Sequence, residues 1–312
     1  MSGADVAAVV VNWNQRELLL EAVGSLHRSR YSSLSVIVVD NGSTDGSADE
    51  IELQYPGTAV IRNWKNLGFA IGCNQGLERA LNEGARFVLF LNSDAVVDER
   101  TVGVLVRHLE THPGAAAVAP LILYHHRPDI IWFGGGEVKL WRGWVGHRHI
   151  RRRFDPGRHR PSPTDYLTGC VFLARARVLK EFGGFDETYG LYAEDVDLSL
   201  RLRGAGWELW VTPEAKAWHR VSASTGGEMS PFKAFHRGRS SAVLFKRFTP
   251  WWGFPTLMLG GFAGGSAATV RLVLSGRLQT ALALWHGVIC GMLNLPQPKR
   301  YALDFSQLNN IR

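Results

Sequence analysis

Short apolar runs that each end in a polar cluster recur through the first hundred residues of the chain. Continuous apolar runs of this length are typical of strands buried on both faces of a parallel sheet. The segments between them carry apolar residues at helical spacing, as Leu19, Ala22, Val23 and Leu26 do after the first run. Strands that alternate with helices predict an α/β fold with a doubly wound parallel sheet. The predicted strands are Val6 to Val11, Leu34 to Val39, Ala59 to Asn63 and Phe87 to Leu91.

Carboxylates follow two of these predicted strands. Asp40 comes directly after the second strand, and Asp94 follows the fourth in the segment Asn92-Ser93-Asp94. Ligands of open α/β sheets bind just beyond the carboxyl ends of the strands, so Asp94 is positioned to hold a hard cation that in turn holds phosphate. The same three residues are also typical of a turn and an N-cap for a helix predicted from Val96 to His112. The segment alone leaves both interpretations open.

The middle of the chain is less regular. Between Leu121 and Arg160 no repeating pattern is visible, and the basic run from His147 to Arg160 is predicted to be a solvated loop, or a lid that binds an anionic acceptor. Regular patterns are found on both sides of this segment. They predict strands at Ala115 to Pro120, Asp165 to Ala174 and Trp207 to Val211, and helices at Arg177 to Phe182 and Leu198 to Ala205.

A second acidic group precedes the last of these helices. Glu194, Asp195 and Asp197 lie within four residues. If they meet Asp40 and Asp94 at one sheet edge, their charges repel unless a cation or a proton lies among them. A divalent cation bound by Asp94, by His219 and by the phosphates of a nucleotide would meet this need, with imidazole favouring Mn²⁺ over Mg²⁺. The alternatives are that the acids cap the helix and that His219 is an ordinary partly buried residue.

The C-terminal region has a different character. Trp251 to Val270 contains no charged residue and approaches the length of a membrane span, but it carries a proline and five glycines. Leu278 to Leu295 is also apolar. We interpret residues 226–312 as a helical region that lies on a membrane, anchored by Trp251, Trp252 and Trp285, or else as a dimerisation region for a homodimer. The net charge of +7 favours an anionic partner.

Five short segments occur in a fixed order along the chain. They are Val9-Val10-Val11-Asn12-Trp13-Asn14, Val39-Asp40-Asn41-Gly42-Ser43-Thr44-Asp45, Asn66-Leu67-Gly68-Phe69-Ala70, Leu91-Asn92-Ser93-Asp94 and Tyr192-Ala193-Glu194-Asp195-Val196-Asp197. Together they resemble the family 2 inverting glycosyltransferases, and more narrowly the bacterial rhamnosyltransferases. The resemblance covers roughly residues 5 to 225 and implies a GT-A fold, with a Rossmann-like nucleotide half at about 1–95 and an acceptor half at about 96–225.

The resemblance also implies roles for individual residues. Asp40 would hydrogen-bond the pyrimidine of a nucleotide sugar, Asp94 and His219 would hold Mn²⁺ or Mg²⁺, and Asp195 would be the catalytic base. The family's metal motif has an acidic residue where this chain has Asn92. The resemblance therefore implies that Asp94 binds the metal and that Asn92 does not. Further residues expected at the nucleotide-sugar site are Asn12, Asn14, Asn66, Asn74, Asn92, Ser93, Gly169 and Glu194.

The implied function is metal-dependent transfer of a sugar, most simply rhamnose from dTDP-rhamnose, to a lipid-linked or polysaccharide acceptor in cell-surface glycan synthesis. Two alternatives stay open: a UDP-hexose-dependent transferase of the same fold, and a membrane scaffold that binds nucleotide or carbohydrate without turnover. No nucleic-acid partner is expected. Three isolated cysteines and the absence of a secretory pattern at the N-terminus predict a cytoplasmic enzyme, peripheral to the inner membrane.

Overall fold

The computed structural model describes residues 4–221 and 229–301. Residues 226–228 and 302–312 of the predicted C-terminal region therefore lie outside the described residues. The strands are β1 (Val6–Asn12), β2 (Leu34–Asp40), β3 (Ala59–Arg62), β4 (Phe87–Asn92), β5 (Ala95–Val97), β6 (Ala115–Tyr124), β7 (Arg127–Phe133), β8 (Gly136–Lys139), β9 (Trp144–His147), β10 (Ser162–Pro163), β11 (Val171–Arg175) and β12 (Glu208–His219). The helices are α1 (Arg16–His27), α2 (Ser47–Gln54), α3 (Phe69–Asn82), α4 (Thr101–Thr111), α5 (Ala176–Phe182), α6 (Glu194–Gly204), α7 (Pro231–Phe248), α8 (Phe254–Leu274) and α9 (Leu278–Leu293).

One mixed sheet organises the molecule. Its strand order is β10-β12-β6-β11-β4-β1-β2-β3, with β5 paired to β12 and β7 paired to β6. The first four predicted strands are confirmed as a parallel group. β11 is antiparallel to both of its neighbours, β4 and β6, so it joins this parallel group to the second half of the chain. The carboxyl ends of β1, β2 and β4 therefore meet at one edge of the sheet.

Helices cover the sheet closely. The residues of β1 from Val6 to Val10 are all buried, as the continuous apolar run predicts for a strand covered on both faces. α3 approaches this strand through Gly76, where a Cβ atom would lie 2.2 Å from Cγ1 of Val9. Only glycine permits that separation, so α3 packs directly on β1.

Three local predictions are wrong in whole or in part. The helix predicted from Val96 begins at Thr101, because Ala95–Val97 instead pairs as β5 with the distant end of β12. The segment from Leu121 to Arg160 is regular in its first part, which contains the rest of β6, strand β7 and the β8–β9 hairpin. Residues 148–160 of the basic run form turns and one isolated bridge, between Arg153 and Ile130, as expected for a loop. The strand predicted from Asp165 is β11 only, and begins at Val171.

The C-terminal helices form a separate layer. α7 and α9 cross at close range, since a Cβ atom on Gly287 would lie 2.0 Å from the carbonyl oxygen of Phe235. The segment Trp251–Leu274, which contains α8, is long and apolar enough to cross a membrane, and only 6% of its most apolar window is buried. A helical C-terminal extension is thus present.

Candidate active site

The polar residues that end three strands are brought together by the strand register. Asn12 is opposite Asp40 across the β1–β2 pair, and Asn92 is opposite Val11 across the β1–β4 pair. The predicted convergence of Asn12, Asp40 and the Asn92–Asp94 segment at one sheet edge is therefore present. It follows from parallel pairing of strands that each end in a polar residue.

Asn12 and Asp40 form the first part of this edge. Both are buried, and Nδ2 of Asn12 lies 3.3 Å from Oδ1 of Asp40. Ser43 completes the group: its backbone N–H donates to Oδ2 of Asp40 (3.0 Å), and its Oγ accepts from Nδ2 of Asn12 (3.2 Å) and from the backbone N–H of Asn14 (2.9 Å). Sequence reasoning missed Ser43, although it lies in the cluster of turn formers after Asp40.

Asn14, Asn66 and Asn74 are mainly engaged in local structure. Oδ1 of Asn14 accepts from the backbone N–H of Thr44 at 2.7 Å, and Oδ1 of Asn66 accepts from Gly68 at 2.9 Å. The amide of Asn74 donates to the carbonyl of Phe185 and accepts from its N–H, both at 2.9 Å. Asn74 thus connects α3 to the segment before α6, and a role in nucleotide binding stays a prediction.

Asp94 and His219 form the second part. The Oδ1 atom of Asp94 lies 3.1 Å from Nε2 of His219, and both side chains are buried. β12 brings His219 here, since it pairs with Ala95, and Arg220 donates its backbone N–H to the carbonyl of Asp94 at 2.9 Å. The ring of Trp132 packs edge-on against His219, with centroids 4.3 Å apart. These contacts fix the orientation of the imidazole.

A carboxylate and an imidazole in contact are suitable ligands for a divalent cation. No group of three or more His, Cys, Asp or Glu side chains that could hold a metal occurs within residues 4–221 and 229–301. The donor set nevertheless fits a cation of the Mg²⁺ or Mn²⁺ type, which characteristically takes one or two protein ligands and completes its shell with substrate phosphates and water. The buried Nδ1 of His219 has no hydrogen-bond partner among the described residues.

Asn92 and Ser93 lie between these two parts. The backbone N–H of Asn92 donates to the carbonyl of Cys170 at 2.8 Å, while its side-chain Oδ1 is buried without a partner among the described residues. Ser93 donates its hydroxyl to Oε1 of Gln15 at 2.9 Å. Of Asn92 and Ser93, Asn92 is therefore the residue whose side-chain oxygen is available to bind a ligand.

Glu194 and Asp195 begin α6 and form the third part. The two oxygens of Asp195 accept from the backbone N–H groups of Gly169 (2.9 Å) and Val196 (2.8 Å). Gly169 directly precedes Cys170, whose carbonyl binds Asn92, so the segment Thr168-Gly169-Cys170 connects Asp195 to the end of β4. Tyr166 also lies near enough for the charge of Asp195, after burial, to raise the pKa of its phenol.

The environment distinguishes the two carboxyl groups. Loss of hydration, followed by repulsion from Asp195, raises the pKa of Glu194 to about 8. Loss of hydration also raises the pKa of Asp195, but its hydrogen bonds from Gly169 and Val196 act in the opposite direction because they stabilise the anion. We therefore expect this pair of carboxyl groups to hold one proton at neutral pH, and the hydrogen bonds to Asp195 favour Glu194 as the group that carries it.

Four buried polar atoms at this edge have no hydrogen-bond partner among the described residues. An unpaired buried polar group costs about 1–3 kcal/mol, so a group of them favours a polar ligand. The four atoms are Oδ1 of Asn12, Oδ1 of Asn92, Oε2 of Glu194 and Nδ1 of His219.

The sequence is similar to a glycosyltransferase family model and to named bacterial glycosyltransferases. The family model described as "Glycosyltransferase like family 2" matches residues 4–251. The N-acetylglucosaminyl-diphospho-decaprenol L-rhamnosyltransferase of Mycobacterium tuberculosis is 29% identical, with 91% of this chain and 99% of the relative covered. The pre-mycofactocin glycosyltransferase of the same organism is 27% identical, with 88% and 57% covered.

Solved structures of similar fold are glycosyltransferases. The mannosyltransferase PcManGT from Pyrobaculum calidifontis, in complex with GDP-Man and Mn²⁺, has a TM-score of 0.59 at 15% identity, and 94% of this chain and 88% of that chain are covered. GalNAc-T7 with UDP, GalNAc and Mn²⁺ also has a TM-score of 0.59, at 18% identity, with 76% and 48% covered. These likenesses confirm the predicted GT-A fold.

Proposed function

The chain belongs to glycosyltransferase family 2, and from this premise we propose that it transfers rhamnose from dTDP-rhamnose, with inversion, to a lipid-linked acceptor. The observation that carries the proposal is the meeting of Asp40, the Asp94–His219 pair and Asp195 at one sheet edge that also holds four unpartnered buried polar atoms. The L-rhamnosyltransferase relative supports the choice of sugar and of a prenyl diphosphate acceptor.

We assign the donor to the carboxyl ends of β1, β2 and β4. Asp40, held by Asn12 and Ser43, accepts a hydrogen bond from the pyrimidine ring. Oδ1 of Asn92 accepts from a ribose hydroxyl. Asp94 and His219 would hold a divalent cation, which would neutralise charge on the donor diphosphate and so make the diphosphate a better leaving group.

Asp195 is the proposed base for a single displacement. Its carboxylate takes the proton of the acceptor hydroxyl as that oxygen bonds to the anomeric carbon. The bond from this carbon to the diphosphate breaks at the same time, and the diphosphate leaves with the electron pair. Because attack comes from the face opposite the leaving group, the configuration inverts. Protonated Glu194 does not compete for the acceptor proton, and its neutrality limits repulsion of the anionic donor.

The donor is tested by a panel of nucleotide sugars on the purified protein. Thermal stabilisation and hydrolysis would be measured with dTDP-rhamnose and with the UDP-linked sugars glucose, galactose and N-acetylglucosamine, each with Mn²⁺, Mg²⁺ or a chelator. The proposal predicts selective, metal-dependent turnover of dTDP-rhamnose. Turnover of a UDP-hexose instead would replace the sugar and keep the mechanism. Stabilisation without turnover of any donor would favour a binding protein, the alternative that Asn92 in place of an acid raises.

A further inference from the structure

An extended apolar surface covers the C-terminal helices. Trp251, Leu259 and Leu274 are 84%, 75% and 83% exposed, and most apolar side chains of α8 also face outward. Soluble monomers rarely expose a continuous apolar patch of this kind unless it binds something. We call this surface the apolar face. Its exposed members are Trp141, Trp144, Trp251, Trp252, Met258, Leu259, Val270, Val273, Leu274, Leu278, Leu282, Ile289 and Leu293.

The tip of the β8–β9 hairpin belongs to the same surface. A Cβ atom on Gly260, in α8, would lie 2.9 Å from Cα of Arg142, and one on Gly143 would lie 3.1 Å from the side chain of Leu257. The hairpin tip is thus packed against α8, beside the exposed Trp141 and Trp144. Two parts of the chain more than a hundred residues apart share one apolar face.

This contact decides how α8 can meet a membrane. The hairpin touches the helix at Gly260, well inside it, and there brings peptide groups and the exposed Arg142. A spanning helix would hold these polar groups inside the hydrocarbon core, where unsatisfied peptide groups cost several kcal/mol each. α8 is further held along its length by Trp285, whose Nε1 donates to Oγ1 of Thr269 at 2.7 Å. The geometry therefore favours a helix that lies in the plane of the interface.

The charge of the C-terminal region favours an anionic lipid surface as the partner of the apolar face. Residues 249–301, which include α8 and α9, contain four Lys or Arg and no Asp or Glu. The exposed Arg142 adds a further positive charge at the hairpin tip. A second copy of the chain would bring like charges together, while an anionic phospholipid surface complements both the apolar side chains and the basic ones.

We propose that the hairpin tip and the helices α8 and α9 form a single docking face for an anionic bilayer, with α8 lying in the interface. The hairpin also connects this face to the site, because Asp165 accepts from the backbone N–H of Val138 at 3.0 Å and a Cβ atom on Gly136 would lie 2.1 Å from the ring of Tyr166. Tyr166 is the neighbour of Asp195 described above. The route of a lipid-linked acceptor along the hairpin to Asp195 rests on the proposed function; the docking itself does not.

Vesicle flotation of the full chain, without donor or acceptor, tests the docking. The vesicles would be phosphatidylcholine alone and phosphatidylcholine mixed with phosphatidylglycerol. Trp141→Ser on the hairpin and Trp251→Ser beside α8 would each lower binding to the mixed vesicles by roughly 10-fold, from the apolar area that a tryptophan buries. Trp64→Ser is the matched control, since Trp64 is 81% exposed but lies outside the face, and it would leave binding unchanged. Added salt would weaken binding to the mixed vesicles more than to the neutral ones.

Several results would overturn the proposal. Unchanged binding of Trp141→Ser, with wild-type thermal stability, would remove the hairpin from the face. Absence of vesicle binding together with concentration-dependent dimers in analytical ultracentrifugation would assign the face to a second copy. Vesicle binding by a protein that no nucleotide sugar stabilises would refute the proposed function but not the docking. Donor turnover without vesicle binding would refute the docking but not the proposed function.

Discussion

The sheet edge and the apolar face are opposites in physical terms. The edge buries polar atoms that have no partner among the described residues, at Asn12, Asn92, Glu194 and His219. The face exposes large apolar side chains, Trp251 and Leu274 above all. Neither arrangement stabilises an isolated fold, and each would become favourable on binding of the proposed partner: a polar anionic donor at the edge and a lipid surface at the face. The two proposed ligands, which differ in polarity, therefore select different surfaces of the same chain.

Loss of the proposed base is the largest effect that we expect. Asp195→Asn retains the shape of the side chain but removes its basicity, so turnover should fall by at least ~100-fold. Stabilisation by donor and binding to vesicles should both persist, because neither uses this proton. Single-turnover rates with and without metal provide the measurement. Near-normal rates would remove Asp195 from the role of base.

Removal of the proposed metal ligand is the next effect in size. Asp94→Ala should weaken donor binding by roughly 10- to 100-fold when Mn²⁺ is present, by analogy with losses at other metal sites. In chelator the variant and the wild type should bind the donor alike, as calorimetry would show. An equal loss in both conditions would make Asp94 a structural residue only, and vesicle binding is the control that should not change.

Arg247 tests whether α7 helps to position the start of α6. It extends from α7 to donate to Oδ1 of the fully buried Asp197 at 2.9 Å and to Asp186 at 2.7 Å. Just before α6, Tyr192 and Ala193 have left-handed φ values of 68° and 72°, a conformation that needs external support.

We expect Arg247→Met to lower kcat by about 5-fold with little change in the donor KM, since small displacements of a reacting group lower rates steeply. Arg247→Lys should restore part of the rate because lysine keeps a positive charge beside the Asp197 carboxylate. A parallel rise in KM, or no rescue by lysine, would argue for a general loss of stability instead of positioning.

The smallest effect concerns the stability of the sheet edge as pH changes. The pKa of Glu194 is about 8 in the folded chain against an ordinary value of 4.5. Between these values the unfolded chain releases a proton that the folded chain keeps, so the contribution of Glu194 to stability is complete below about pH 4.5 and is lost as pH rises through 8. Relative to wild type, Glu194→Gln should gain thermal stability from pH 5 to 8. Parallel melting curves across that range would contradict the raised pKa.

The sheet edge was predictable and the apolar face only partly so. Continuous apolar runs ending at Asn12, Asp40 and Asn92 determine both the strands and where their ends meet. The contact of His219 with Asp94 depends on the pairing of β12 with β5, which joins residues more than a hundred positions apart. Strand β5 occupies the place where the sequence pattern predicted the start of a helix. Aromatic and glycine residues around Trp132 follow neither helical nor strand spacing, so the sequence did not reveal the hairpin that packs on α8.

Transfer to a lipid acceptor in a bilayer requires the sheet edge and the apolar face together, so it is the decisive measurement. Labelled dTDP-rhamnose and an N-acetylglucosaminyl-diphospho-prenol would be supplied in phosphatidylglycerol-containing vesicles with Mn²⁺. We expect labelled lipid of inverted anomeric configuration from the wild type, much less from Trp141→Ser and none from Asp195→Asn or with chelator. Absence of labelled lipid from a wild-type protein that binds both donor and vesicles would show that the edge and the face do not act together in transfer.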